Sequence, residues 1–180
     1  MSGREMIVQA AGRRRNRGRG CADPHRRLYW CGVEGNQVSR SRSILLVEDN
    51  EDDVELTLRA FARSEVLHEI TVVRDGAAAV DYLLHRDARA DAPEVVLLDL
   101  KLPRLDGLEV LRRLRADERT RRLPVVVLTS SDEEQDLAAC YDLGANSFVR
   151  KPVDFARFVH AANQLGSYWL ELNEPAPLPR

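Results

Sequence analysis

Carboxylates, a hydroxyl and a lysine recur in one kind of place in this chain, directly after a short apolar run. Ile44 to Val47 runs into Glu48, Asp49, Asn50, Glu51, Asp52 and Asp53, and the run from 94 ends at Asp99, soon followed by Lys101. Val125 to Leu128 leads to Thr129 and Ser130, and "SFVR" (147–150) leads to Lys151 and Pro152. Two like charges ~4 Å apart repel by ~4 kcal/mol at an effective dielectric near 20. The crowding at 48–53 therefore calls for a helix N-terminus, a metal ion or a basic side chain to offset it. Carboxylate oxygens at this density suit a hard cation such as Mg²⁺, which keeps positions open for water and phosphate oxygens. A lysine and a hydroxyl facing the same spot suit an incoming phosphoryl group. A carboxylate can itself be the nucleophile, forming an aspartyl phosphate.

Those residues act together only if the chain brings the ends of the apolar runs side by side. The runs 44–47, 69–73, 94–100, 124–129 and 147–150 alternate with helical patterns at 52–63, 76–86, 107–116 and 133–142 and from Asp154 onward. Runs such as 44–47, 95–98 and 125–128 are apolar at successive positions, as strands buried on both faces are. Each helix carries one apolar stripe, for example Val54, Leu58 and Phe61, or Leu108, Leu111 and Leu114. Right-handed crossovers turn this order into a doubly wound α/β fold with a five-stranded parallel sheet and five helices. Ligands bind such sheets beyond the C-terminal strand ends, which is where the polar residues lie. Asp52 and Asp53 fall in the first turn of the first helix, where the macrodipole favours negative charge. Asn50 or Glu51 is expected near its cap.

The chain has 180 residues and a net charge of −2, but the charge is unevenly spread. Residues 1–42 hold ten arginines against Glu5, Asp23 and Glu34, or +7, which leaves −9 for the remainder. The leader shows no apolar periodicity and includes "GRRRNRGRG" (12–20), so it is expected to be a disordered basic extension, or to reflect a start assigned too far upstream. Its arginines suit phosphate contacts, yet no helix-turn-helix or aromatic-interleaved pattern accompanies them, and nucleic-acid binding is the disfavoured alternative. Of 27 basic residues only Lys101 and Lys151 are lysines, which marks both as places where a compact ammonium is needed.

No apolar run approaches the ~20 residues of a membrane span. Three cysteines make no disulfide framework, so a cytoplasmic location is expected. Cys21, His25 and Cys31 lack a fourth ligand and the usual zinc spacing. Cys140 reads as a core residue, and His68 and His85 as solvated positions at element edges.

"LLVEDN", "VVLLDLKLPRLDG", "VVVLTS" and "GANSFVRKP", in this order, resemble the receiver domain of two-component response regulators across roughly residues 43–170. The resemblance implies that Asp99 is the phosphoacceptor and that Glu48 and Asp49 are the acidic pair. It also implies that Asp49 and Asp99 hold Mg²⁺ with the backbone carbonyl of Lys101. Thr129 would be the switch hydroxyl, Phe148 the switch aromatic, and Lys151 the lysine that pairs with the phosphate. Such a protein is not an enzyme with a separate substrate; it assists its own phosphorylation and dephosphorylation. "VEDNEDDVELTLRAF", the link 85–93 and "SYWLELNEP" resemble stand-alone regulators paired with bacterial phytochromes and related histidine kinases. The expected division is a leader (1–42), a receiver domain (43–172) and a flexible tail (173–180). With only "NEPAPLPR" after the last helix, output would pass through protein contacts. The aromatics Tyr168 and Trp169 look surplus to a monomer core, so a homodimer through the fourth helix, fifth strand and fifth helix is expected. The competing reading has them folding back onto the domain's own edge.

Overall fold

In the computed structural model, which describes residues 5–7, 42–63, 68–84 and 92–177, the five apolar runs lie side by side. They are β2 (Arg42–Val47), β3 (His68–Val73), β4 (Val95–Leu98), β5 (Val125–Thr129) and β6 (Ser147–Arg150). All pair in parallel, with β2 between β3 and β4, then β5 and β6 outward. The helices α1 (Glu51–Phe61), α2 (Gly76–Leu84), α3 (Gly107–Ala116), α4 (Glu134–Asp142) and α5 (Phe155–Gly166) alternate with them.

Strand pleating explains the continuous apolar runs. Ile44 and Leu46 join Val54, Phe61 and Phe158 on the face covered by α1 and α5. Leu45 and Val47 join Val80, Leu111 and Leu114 on the face covered by α2 and α3. Burying a side chain of this size contributes roughly 1.5–3 kcal/mol, so both faces of β2 anchor the fold. A third, smaller cluster of Leu100, Val127 and Cys140 lies toward Phe148. Cys140 is fully buried, as its helical setting suggested.

Three helix starts on the functional edge are fixed by a short polar side chain. Asn50 caps α1, accepting from the Asp53 N–H at 3.1 Å. Asp106 caps α3 by accepting from Glu109 N–H at 2.8 Å, and Asp154 caps α5 by accepting from Arg157 N–H at 2.9 Å. Two loops interlock without room for a side chain. A Cβ on Gly76 would lie 2.0 Å from the Leu105 carbonyl oxygen, and one on Gly107 would lie 2.3 Å from that of Asp99.

Three features depart from expectation. Glu5–Ile7 forms a further strand, β1, antiparallel to β3 in the register Glu5↔Val72, Met6↔Thr71, Ile7↔Ile70. The leader thus supplies an edge to the sheet, because the outer side of β3 offers unpaired backbone donors and acceptors. His68 is not solvated: it is 4% exposed, opens β3 opposite Arg42, and packs edge-on to Phe61 with ring centroids 5.5 Å apart. After α5 the chain widens into a π-helical segment, Ser167–Leu172. This change of pitch points Leu170 into the core and packs Trp169 partly against it, while Tyr168 and Leu172 remain exposed. Trp169 therefore folds back onto the domain, whereas Tyr168 does not.

The leader readings on residues 8–41, including Cys21, His25, Cys31 and the arginine run, lie outside the described residues, as do His85 and the tail end 178–180. Among the described residues no helix is long and apolar enough to cross a membrane.

Candidate functional site

Backbone hydrogen bonds bring the strand ends together before any side chain is considered. The Glu48 N–H donates to the Val73 carbonyl and the Asp99 N–H to the Val47 carbonyl, both at 3.0 Å. At the far side the Lys151 N–H donates to the Thr129 carbonyl at 2.8 Å. The residues that follow β2, β4, β5 and β6 therefore share one edge.

On that edge Glu48, Asp49 and Asp99 each offer a carboxylate oxygen, and these oxygens lie within 4.8 Å of one another. Glu48 and Asp99 are buried and Asp49 is exposed, so the cluster opens to solvent on one side. Asp99 Oδ1 is buried without a hydrogen-bond partner. A buried acceptor left unmatched is costly, and three convergent carboxylates repel one another. An all-oxygen donor set of this kind fits a hard divalent cation. Lys101 follows in the loop after Asp99 with its side chain exposed.

Lys151 lies against this cluster almost fully enclosed, its side chain 8% exposed. Its Nζ donates to Glu48 Oε2 at 2.5 Å and to Asp53 Oδ2 at 2.7 Å, and stands 3.7 Å from Asp99 Oδ1. Burial works against the ammonium, but the bonds to Asp53 and Glu48 outweigh it and hold the Lys151 pKa above that of an ordinary lysine. Burial pushes the Glu48 carboxyl up to about 7, against the pull of Lys151. The Asn50 N–H also donates to Glu48 Oε1, at 3.2 Å.

Thr129 is fully buried at the end of β5, and its hydroxyl accepts from the Ser131 N–H at 3.3 Å. Ser131 in turn donates to Asp136 Oδ2 at 2.6 Å, which fastens the loop after β5 to α4. Phe148 sits half-buried on β6 beside the Leu100, Val127 and Cys140 cluster. The structure thus gathers Glu48, Asp49, Asp99, Thr129 and Lys151 at one edge and leaves Phe148 on the neighbouring strand.

Two residues on this edge escaped the sequence reading. The sequence pattern around Asp53 points only to a helix start, yet the residue is also a partner of Lys151. The charge crowding at 48–53 was the signal, since a basic side chain was one of the three ways to offset it. Arg104 carries no signal of its own in the sequence, but it takes a left-handed backbone (φ 65°) and pairs with the buried Asp75. Asp75 also accepts from the Ala78 N–H at 2.7 Å, so the pair joins the start of α2 to the loop that carries Lys101.

Residues 44–163 match the response regulator receiver domain family. The chain belongs to that family. Among curated receivers it is 44% identical over 136 residues to the probable methanogenesis regulatory protein FilR2 of Methanothrix harundinacea, covering 74% of this chain and 88% of the relative. It is 37% identical over 130 residues to response regulator Rcp1 of Synechocystis, covering 71% and 88%. The solved structure of the phosphorylated cyanobacterial phytochrome response regulator RcpA aligns with a TM-score of 0.69 at 39% identity, covering 78% of this receiver and 99% of that chain. The Mn²⁺-bound form of Rcp1 aligns with a TM-score of 0.67 at 35% identity, covering 77% and 99%.

Proposed function

We propose that this receiver is a phosphoacceptor, taking a phosphoryl group on Asp99 from a sensor histidine kinase of the phytochrome-associated kind. The observation that carries the reading is the Asp99 carboxylate itself, buried with an unmatched oxygen between two further carboxylates and a lysine. In the transfer a carboxylate oxygen of Asp99 attacks the phosphorus of a phosphohistidine. The P–O bond forms as the P–N bond breaks, and the imidazole keeps the electron pair and takes up a proton from solvent. Glu48, Asp49, Asp99 and the Lys101 backbone carbonyl would hold Mg²⁺. When bound, the ion offsets the charge of the carboxylates and of the phosphoryl oxygens. The Thr129 hydroxyl and the Lys151 ammonium then meet the phosphoryl oxygens. A shift of Thr129 toward the phosphoryl group would reach Phe148 across the β5–β6 pair and carry the signal outward. The likeness to RcpA and Rcp1 supports the choice of kinase.

The test is labelling with acetyl phosphate. We expect acid-labile phosphate in wild type only when Mg²⁺ is present, and none in Asp99→Asn. Labelling without a divalent cation, or full labelling of the Asn variant, would refute the assignment.

The receiver unit, residues 43–172, would pass its output through protein contacts, with phosphorylation strengthening a homodimer on the face of α4, β6 and α5. Support comes from the exposed Tyr141, Tyr168 and Leu172 and from a groove on this face lined by Ser147, Val149, Ala161, Leu165, Tyr168 and Trp169. Sedimentation with and without beryllofluoride decides it. A monomer in both states at tens of micromolar, a range typical of transient interfaces, would count against the dimer.

A further inference from the structure

Asp53 lies outside the acidic triad, yet it holds the lysine that the phosphoryl group needs. It stands in the first turn of α1, where its own N–H is bonded to the Asn50 cap and its side chain leans back toward the strand ends. Oδ2 accepts from Lys151 Nζ at 2.7 Å, a charge-assisted bond formed 98 positions apart in sequence and only partly open to solvent. Nζ is meanwhile 3.7 Å from Asp99 Oδ1, beyond hydrogen-bond reach. A lysine has three donors, and Glu48 and Asp53 occupy two of them.

From this geometry we propose that Asp53 is a positioning residue that competes with the phosphoryl group for Lys151. The inference rests on the reading of Asp99 as the phosphoacceptor. Without a phosphoryl group, Asp53 and Glu48 draw the ammonium away from Asp99. When Glu48 and Asp49 turn to a cation, Asp53 is the anion that still neutralises Lys151. An arriving phosphoryl group then meets a lysine whose charge is already matched, with the Asp53 carboxylate adding its own repulsion. Both effects have the same sign, so Asp53 weakens phosphoryl binding and sets how much of it the resting site tolerates. Asp52 supplies a control: it lies in the same turn and carries the same charge, but is exposed to solvent.

The experiment compares full-length wild type, Asp53→Asn, Asp53→Glu and Asp52→Asn by titration with beryllofluoride at saturating Mg²⁺ and fixed pH. Titrations with Mg²⁺ alone and thermal melts accompany them. Asp53→Asn is expected to bind beryllofluoride roughly three- to tenfold more tightly, the range set by losing one partly exposed charge-assisted bond. Its Mg²⁺ affinity should stay within about twofold of wild type by the same argument. Asp53→Glu should return toward wild type, and Asp52→Asn should match wild type. Unchanged or weaker beryllofluoride binding by Asp53→Asn overturns the proposal. So does an equal gain in Asp52→Asn, which would reduce the effect to general helix-start charge. If wild type itself binds no beryllofluoride, the assignment of Asp99 fails instead, and the two failures are distinct.

Discussion

Lys151 is enclosed by carboxylates from two different elements, and a guanidinium does not fit that enclosure. Its ammonium contacts Glu48 and Asp53 at 2.5 and 2.7 Å inside a nearly closed space. Arginine keeps the charge but is larger, planar and less able to act as a point charge. Lys151→Arg is therefore expected to fold yet lose tenfold or more in beryllofluoride affinity, on the scale of one misplaced charge-assisted bond; wild-type affinity in this variant would refute the argument. Cys140 shows burial acting in the opposite sense, toward inertness. Its thiol is pushed up to about 11 by burial and by the Asp136 charge, so at pH 7 in native protein Cys140 should resist iodoacetamide, which peptide mapping can check. At this scale the sequence disclosed which residues meet at the strand ends, because each follows an apolar run. It did not disclose the Asp53–Lys151 bond. A contact 98 positions apart depends on how α1 and β6 dock, which no local pattern records.

The elements were legible where packing follows a period and illegible where tertiary contact sets the shape. The apolar stripe of α3 predicted its limits, Gly107–Ala116, and Leu111 and Leu114 are indeed fully buried. The π-helical pitch at Ser167–Leu172 has no such signature, since it serves to bury Leu170 against strands far away in sequence. The same holds for "GAN" at 144–146. Gly144 has φ +86°, its carbonyl accepts from the Arg115 guanidinium at 2.8 and 3.0 Å, and Asn146 Oδ1 accepts from the Val125 N–H at 2.9 Å. Arg115→Ala should therefore loosen the joint between α3, β5 and β6 and destabilise the fold by about 1–3 kcal/mol, measured by urea unfolding. At the end of α3, Asp117 makes two side-chain bonds and one backbone bond with Arg119, which pull its carboxyl down to about 2 from 3.8. A folded value below the unfolded one means that the stability is present above pH 3.8 and is lost as pH falls through about 2. The Arg119 side chain is half exposed, so solvent screens the pair and its contribution to stability is small. Stability curves of wild type and Asp117→Asn should differ slightly at pH 6 and converge near pH 2.

Across the molecule, the crowded carboxylates at the strand ends oppose folding beyond what Lys151 offsets, so a cation bound among them would couple to global stability. A ligand bound only by the folded state adds about 2.7 kcal/mol at a hundred times its dissociation constant. Wild type should accordingly melt several degrees higher in Mg²⁺ than in chelator, and Asp99→Asn should show a smaller gain. A melting point indifferent to Mg²⁺ would contradict the proposed cation site. The short strand β1 has a consequence of a different kind. Its three residues shield the margin of β3, a strand that reads Ile70-Thr71-Val72-Val73 and carries little charge at its centre. Such a margin, once bared, is a template on which another chain can grow. A truncated protein beginning at Arg42 retains the whole parallel sheet and both hydrophobic layers, so it should fold. It should nonetheless scatter light and bind thioflavin sooner than the full chain on gentle heating. The arginine-rich leader would then guard solubility through Glu5–Ile7, a few residues of ordinary backbone, whatever its charges do.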